Sequence, residues 1–170
     1  MITLVLGGAR SGKSEVAEAV LAPARGPVTY VATARGDDPT MASRIAAHRA
    51  RRPASWRTVE AADDLPDVLR SLDGPVLVDS LGAWLAHCDD LVADVAGLCQ
   101  ALEGRSGPAG DATVLVSEEV GLGVHPPTEV GVRFADGLGE VNRSVADLAD
   151  EVLFVVAGRV LPLARPAPYV

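Results

Sequence analysis

The sequence is poor in lysine, aromatic residues and cysteine, and each shortage narrows the class of protein. The 170-residue chain has 15 basic residues, and all of them except Lys13 are arginines. Aromatic residues make up only 4% of the chain, so aliphatic side chains have to form the core. The two cysteines, Cys88 and Cys99, match neither a disulfide framework nor a metal-ligand pattern. This usage is typical of proteins from a reducing compartment.

Positive charge and long apolar runs are scarce as well. The formal net charge is −8, which argues against nucleic acid as a partner, because a phosphate backbone requires a basic surface. No apolar run reaches the roughly 18 residues that a membrane span needs, and the opening ITLVLGG does not resemble a signal peptide. We therefore expect a cytoplasmic protein with no membrane span, folded as one domain over residues 1–170.

Short apolar runs alternate with helical patterns along the chain. Strands are predicted at residues 2–6, 28–34, 54–60, 75–80, 112–121 and 151–158. Helices are predicted at residues 13–22, 38–51 and 61–72, from 81 to about 103, and at 127–149. The tail from residue 163 to 170 matches no pattern that we can interpret. The alternation predicts an α/β fold with a mostly parallel sheet flanked by helices.

The first predicted strand runs into GGARSGKS at residues 7–14, which fits the phosphate-binding pattern G-x-x-x-x-G-K-S. Because this pattern follows a strand and opens a helix, we interpret it as a P-loop. Its backbone N–H groups and the helix N-terminus attract phosphate, and the Lys13 ammonium reaches the terminal phosphates. Arginine cannot replace Lys13, because a guanidinium is larger, planar and forked. The single lysine therefore lies where the chemistry requires an ammonium.

A P-loop also requires Mg²⁺. We expect Ser14 to bind the ion together with an acid at the end of another strand, and Asp79 is the best candidate. As an alternative, Asp79 caps the helix that follows it. Glu118 and Glu119, at the end of a later strand, compete with Asp79 for the metal role.

Two clusters of polar residues raise further hypotheses. Five of the fourteen arginines fall between residues 44 and 57, with His48 among them. A neutral imidazole can attack phosphorus, and neighbouring cations favour the neutral form. On the residues alone, a histidine on a basic helix is more often a solvated surface residue.

The second cluster, residues 87–90, has no metal-ligand spacing, and we interpret its members as surface residues.

Several stretches, taken in order, resemble the family of bifunctional adenosylcobinamide kinase / adenosylcobinamide-phosphate guanylyltransferases of cobalamin biosynthesis. They are GGARSGKS, YVATA, RIAAHRARRPASWRTVE, the strand that ends at Asp79, SEEVGLGVHP and GEVNRSVADLADEVLFVVAG. The specific part is the pattern H-R-x-x-R-P-x-x-W-x-T-x-E that starts at His48. The resemblance covers nearly the whole chain and implies a P-loop, RecA-like α/β domain, often assembled as a homo-oligomer of three chains.

The resemblance also implies two reactions. First, ATP or GTP phosphorylates the aminopropanol hydroxyl of adenosylcobinamide. Then GTP donates GMP to adenosylcobinamide phosphate, which yields adenosylcobinamide-GDP and pyrophosphate. In the family the GMP passes through a guanylylated histidine, which falls on His48, while Lys13 is the catalytic residue of the P-loop.

The nucleotide-contacting positions of the family carry over onto four stretches of this chain. They are Gly7, Gly8, Ala9, Arg10, Ser11, Gly12, Lys13 and Ser14 of the P-loop; Ala32, Thr33 and Ala34 of YVATA; Arg49, Ala50, Arg51 and Arg52 after the histidine; and Glu60 and Asp79. A carboxylate can accept two N–H groups of guanine, so Glu60 or Asp79 reads the base and the other serves the metal. The sequence leaves this choice open.

Two departures concern the surroundings of the acceptor or the metal. Glu118 stands where the family often has asparagine, and Ser80-Leu81-Gly82 replaces a common Cys-Leu-Thr.

Two other functions compete with the bifunctional enzyme. One is a P-loop small-molecule kinase in which His48 only binds phosphate. The other is a regulatory GTP-binding module, whose N-K-x-D motif is absent, since the single asparagine, Asn142, precedes an arginine.

Overall fold

The computed structural model of the chain describes residues 1–24, 26–34, 53–106 and 112–166. These residues form a seven-stranded sheet with the order β3-β2-β4-β5-β1-β6-β7. The strands are β1 (Ile2–Gly7), β2 (Thr29–Ala32), β3 (Arg57–Glu60), β4 (Val76–Asp79), β5 (Thr113–Glu118), β6 (Glu151–Val156) and β7 (Arg159–Leu163). Neighbouring strands pair in parallel from β3 to β6, and only β7 is antiparallel.

Five α-helices connect and cover the strands within the described residues. They are α1 (Lys13–Leu21), α2 (Leu65–Ser71), α3 (Leu81–Leu85), α4 (Val95–Arg105) and α5 (Glu129–Leu148), and a 3-10 helix spans Asp89–Leu91. The predicted α/β fold with a mostly parallel sheet is confirmed. The predicted helix at 38–51 lies outside the described residues. Among the helices that the structure describes, none is long and apolar enough to cross a membrane.

The sheet is buried on both faces, which explains why its central strands are continuous apolar runs. Every residue of β1 is buried, and successive side chains point to opposite faces. Leu4 joins the apolar cluster formed with α2, α3, α4 and α5, whereas Val5 joins a second cluster with Ala17 and Leu21 of α1. The helices thus pack on both faces of one sheet.

The carboxyl ends of the parallel strands meet at one edge of the sheet. Gly7 at the end of β1 is in register with Glu118 of β5. Ala32 at the end of β2 is in register with both Asp79 and Glu60. Ligands of open parallel sheets bind outside this edge, and Gly7, Ala32, Glu60, Asp79 and Glu118 all end strands there.

The prediction of one helix from residue 81 to about 103 is wrong. The structure divides this stretch into α3, the 3-10 helix and α4. Asp90 and Leu91 have φ values of 53° and 59°, and such left-handed residues cannot continue a right-handed helix. A new helix then starts at Asp94, whose side chain accepts a hydrogen bond from the Gly97 N–H at 2.8 Å. The apolar pattern runs on through this break, which hides it.

The surface interpretation of residues 87–90 holds for the exposed Asp89 and Asp90 and is wrong for Cys88. Cys88 is buried, and its thiol donates to the backbone oxygen of Trp84. Burial raises the pKa of the Cys88 thiol, and the nearby carboxylates of Asp63 and Asp89 add to this effect. That the cluster holds no metal stays a prediction.

Strand β7 was not predicted. It pairs with β6 through a two-residue turn, Ala157–Gly158, whose φ values of 50° and 71° are both positive. Turns of this kind match the natural twist of a hairpin. Pro162 is tolerated in β7 because the strand lies at the edge of the sheet, where a missing N–H breaks no pairing.

Candidate active site

The P-loop connects β1 to α1 with a backbone that only glycine permits at two positions. Gly12, directly before α1, has a φ of 92°. A Cβ on Gly7 would lie 2.5 Å from the Ser11 hydroxyl oxygen and 2.8 Å from the Val155 carbonyl oxygen. Both glycines of the sequence pattern are therefore required by the geometry. Loops of this kind bind phosphate through their backbone N–H groups.

The turn of the β6–β7 hairpin supports the P-loop from one side. The Gly158 N–H donates to the Ser11 carbonyl oxygen at 2.8 Å. The Gly158 Cα would lie 3.4 Å from a Cβ placed on Gly12, so the two backbones approach closely. The hairpin that the sequence did not predict therefore helps to hold the P-loop in place.

Lys13 begins α1 and forms an ion pair across the edge of the sheet. Its Nζ lies 3.4 Å from Oε1 of Glu118 and donates to the Gly8 carbonyl oxygen at 3.4 Å. The Lys13 side chain is 12% exposed and the Glu118 side chain 30% exposed, so both groups are open to a ligand from outside. Ser14, the next residue, is half-buried in the first turn of α1.

Glu118 is held by contacts from three parts of the fold. The Ser80 hydroxyl, after β4, donates to its Oε2 at 3.0 Å. The Asn142 side-chain amide, from α5, donates to its backbone oxygen at 3.0 Å. The sequence identified Glu118 only as a competitor for the metal role, because the contact with Lys13 depends on which strands are neighbours. Its place at the end of an apolar strand was the available signal.

Asp79 ends β4, and its Oδ2 accepts a hydrogen bond from the Tyr30 hydroxyl at 3.0 Å. The alternative that Asp79 caps the following helix is wrong. Ser80 is the N-cap of α3, and its hydroxyl accepts from the Ala83 N–H at 3.3 Å. The Asp79 carboxylate therefore contacts β2, through Tyr30, and does not cap α3.

Thr33 anchors the turn that follows Asp79. Its buried hydroxyl accepts from the Ser80 N–H at 2.7 Å and donates to the Ser80 carbonyl oxygen at 2.7 Å. Both hydrogen bonds are directed to the protein backbone, so a nucleotide would meet Thr33, and its neighbours Ala32 and Ala34, mainly through the backbone. Because of these bonds, the ends of β2 and β4 keep a fixed relative position.

The remaining predicted site residues are Glu60, Glu119 and the stretch from His48 to Arg52. Glu60 is exposed at the end of β3. In the strand order, β3 is four positions from β1, which at about 4.8 Å per strand corresponds to about 19 Å, whereas β4 is two positions away. The Glu119 backbone N–H donates to the Gly7 carbonyl oxygen at 3.2 Å, and its side-chain Oε1 accepts from the Gly121 N–H at 2.7 Å. His48, Arg49, Ala50, Arg51 and Arg52 lie outside the described residues.

Comparison with known proteins identifies the family. The model of the family described as "Cobinamide kinase / cobinamide phosphate guanyltransferase" matches residues 3–163. The "Bifunctional adenosylcobalamin biosynthesis protein CobP" of Pseudomonas aeruginosa is 43% identical over 169 residues, which cover 96% of this chain and 97% of that protein. The "Bifunctional adenosylcobalamin biosynthesis protein CobU" of Salmonella typhimurium is 37% identical over 183 residues, with 93% and 97% covered.

Among solved structures, an ATPase from the type III secretion system of pathogenic bacteria has a similar fold. The TM-score is 0.55 at 14% identity, and the match covers 90% of this chain and 50% of that one. This likeness confirms a P-loop ATPase fold and nothing about the reaction. The family match and the P-loop geometry agree that the site binds nucleotide. The chain belongs to the cobinamide kinase / cobinamide phosphate guanyltransferase family and is an enzyme of that family.

Proposed function

We propose that this chain phosphorylates adenosylcobinamide with ATP or GTP and then transfers GMP from GTP to the product, at the carboxyl edge of its sheet. The observation that carries the proposal is the position of Lys13, which faces the ends of β1 and β5 beside a P-loop shaped by two obligatory glycines. An ammonium there balances the charge of terminal phosphates and favours their transfer. The acceptor is positioned at the same edge, so the two reactants meet in one place.

Ser14 and Asp79 are the residues that would hold Mg²⁺. Ser14 lies in the first turn of α1, and Asp79 ends a strand only two positions from β1. A bound Mg²⁺ supplies positive charge that neutralises the phosphate oxygens. Glu60, four strand positions from β1, is too far away to share that ion, and its exposed carboxylate is free to meet a base. We therefore assign guanine reading to Glu60 and the metal to Asp79.

His48 is the proposed nucleophile of GMP transfer. Its imidazole nitrogen attacks the α-phosphorus of GTP, and pyrophosphate leaves with the electron pair of the broken P–O bond. A phosphate oxygen of adenosylcobinamide phosphate then attacks the same phosphorus and releases the histidine. Arg49, Arg51 and Arg52, next to His48 in the sequence, would balance the phosphate charge during both steps.

A labelling experiment tests the histidine. The protein is incubated with Mg²⁺ and GTP labelled at the α or the γ phosphate, denatured, and examined for label on the chain. We expect acid-labile, base-stable label from α-labelled GTP only, and we expect its loss in His48→Ala, because a phosphoramidate requires the imidazole. His125→Ala is the matched control and should keep the label.

A protein that binds GTP but takes up no label would reduce the proposal to a P-loop kinase. Label from γ-labelled GTP would instead indicate a phosphorylated residue and contradict GMP transfer through His48. Label that survives His48→Ala would move the nucleophile to another residue.

A further inference from the structure

The two departures from the family pattern, Glu118 and Gly82, lie in contact with each other. A Cβ on Gly82 would overlap Oε2 of Glu118 and lie 3.1 Å from its Cδ. Glycine at position 82 therefore provides the space that the Glu118 carboxylate occupies. Since Gly82 belongs to α3 and Glu118 ends β5, only the folded chain joins them.

Glu118 contacts the lysine that binds terminal phosphates in a P-loop. Of the described acids that end or follow the parallel strands, it is the one whose carboxylate contacts Lys13, at 3.4 Å. Asp79 ends β4, which lies one strand farther from β1 than β5, and its carboxylate accepts a hydrogen bond from Tyr30. The Glu119 carboxylate accepts from the Gly121 N–H. Because the P-loop lysine binds terminal phosphates, a carboxylate in contact with it lies beside the phosphorus that is transferred.

The carboxylate is also oriented and accessible. Lys13 contacts Oε1, while the Ser80 hydroxyl donates to Oε2. Each carboxylate oxygen has two lone pairs, so both oxygens can accept a further hydrogen bond. With its side chain 30% exposed, Glu118 can receive a hydroxyl that approaches from solvent.

We propose that Glu118 is a catalytic residue of the kinase step, in which its carboxylate takes the proton of the acceptor hydroxyl; this rests on the function proposed above. The hydroxyl oxygen forms a bond to the terminal phosphorus, and the bond from that phosphorus to the bridging oxygen breaks. ADP or GDP leaves with the electron pair, and the hydroxyl proton passes to Glu118. GMP transfer needs no such base, because its acceptor is an ionised phosphate.

The difference between the two acceptors provides the test. Glu118→Gln keeps the size and the hydrogen-bonding carbonyl but cannot take a proton. We expect the kcat of adenosylcobinamide phosphorylation to fall about 100-fold, the low end for general-base catalysis, because the amide still orients the hydroxyl. The Kd of ATP without acceptor should change by no more than about threefold, and so should GMP transfer to previously phosphorylated substrate, since neither uses a base.

Two results would overturn the proposal. If both reactions fall together, Glu118 serves a step that they share. If ATP affinity falls in parallel with the kinase rate, Glu118 only positions Lys13. A wild-type protein that performs neither reaction would contradict the proposed function itself, and this inference would fall with it.

Gly82→Ala tests the same carboxylate without changing it. The added methyl group would meet the flexible end of Glu118, so the side chain has to move while the backbone can stay. We expect a selective loss of the kinase step, with little further loss when Gly82→Ala is added to Glu118→Gln. Gly139→Ala in α5 is the matched control, because nothing lies within 4 Å of its Cβ position. A Gly82→Ala enzyme with a wild-type kinase rate would overturn the proposal.

Discussion

Asp79 and Glu60 have the same residue chemistry but different positions in the sheet. Both end strands that flank β2, and both are in register with Ala32. Asp79 is closer to the P-loop by two strand positions and accepts a hydrogen bond from Tyr30, whereas Glu60 is exposed at the end of β3. A triphosphate that starts at the P-loop would extend away from it, so we expect the base to lie farther from β1 than the metal. The structure thereby supports an assignment that the sequence left open.

Glu60→Gln is expected to weaken GTP binding selectively. The amide loses the charge and one of the two acceptors that guanine N–H groups use, and a hydrogen bond to a charged group contributes about 1.5–3 kcal/mol. The Kd of GTP should therefore rise about tenfold or more, while the Kd of ATP changes by less than about twofold. Isothermal titration with both nucleotides measures the difference.

Glu103→Gln, an exposed change on α4, is the control for the general effect of losing one charge. Equal weakening of GTP and ATP by Glu60→Gln would contradict base reading by this residue.

At the scale of elements, short local signals explain where three of the helices start. Ser80, Asp94 and Thr128 each cap the helix that follows, with side-chain oxygens that accept backbone N–H groups. Ser80 is also the residue whose hydroxyl donates to Glu118, so one side chain starts α3 and orients a carboxylate of the site. Capping and site geometry are coupled at this position.

Asp94→Ala is expected to destabilise the fold through α4. The carboxylate accepts the Gly97 N–H at 2.8 Å, and its loss leaves an end of the helix without that partner. The free energy of unfolding should fall by about 0.5–2 kcal/mol, measured by urea denaturation. Asp89→Ala is the control, because Asp89 is exposed, and its effect should stay within about 0.5 kcal/mol.

If Asp94→Ala unfolds at the wild-type urea concentration, the cap does not stabilise α4, and another interaction must define the start of that helix.

At the scale of the whole molecule, the β7 edge of the sheet is exposed within the part of the chain that the structure describes. β7 is the last strand, all five of its residues are exposed, and they include Val160, Leu161 and Leu163. An exposed apolar edge strand is a surface on which another chain can pair. This observation is consistent with the homo-oligomer that the family resemblance implies. The oligomer, the cytoplasmic location and the single domain over residues 1–170 stay predictions.

We expect the purified protein to have a mass three times the 17.5 kDa of one chain. Light scattering after size-exclusion chromatography measures this mass directly, at several protein concentrations. The mass of a dimer would contradict the predicted trimer but agree with a homo-oligomer. The mass of one chain at every concentration would contradict both predictions. Because each chain carries a formal net charge of −8, charge repulsion opposes nonspecific aggregation. A defined larger mass would therefore indicate a specific oligomer.

The sequence by itself determined the features that depend on neighbouring residues. The P-loop, with its glycines and Lys13, follows from one eight-residue pattern, and the alternation of strands and helices follows from local periodicity. The helix break before Asp94 and the strand β7 could not be predicted, because the apolar pattern continues through the first and the second depends on pairing with β6.

Only the tertiary structure decided how residues distant in the sequence meet. Lys13 and Glu118 are separated by 105 positions, and they form an ion pair because β5 lies next to β1 in the sheet. Gly82 and Glu118 likewise became one feature only when α3 was placed against the end of β5. The order of strands follows from the packing of helices on both faces, which is a property of the whole chain. Local periodicity carries no record of that order, and it is this order that selects the acid beside the P-loop lysine.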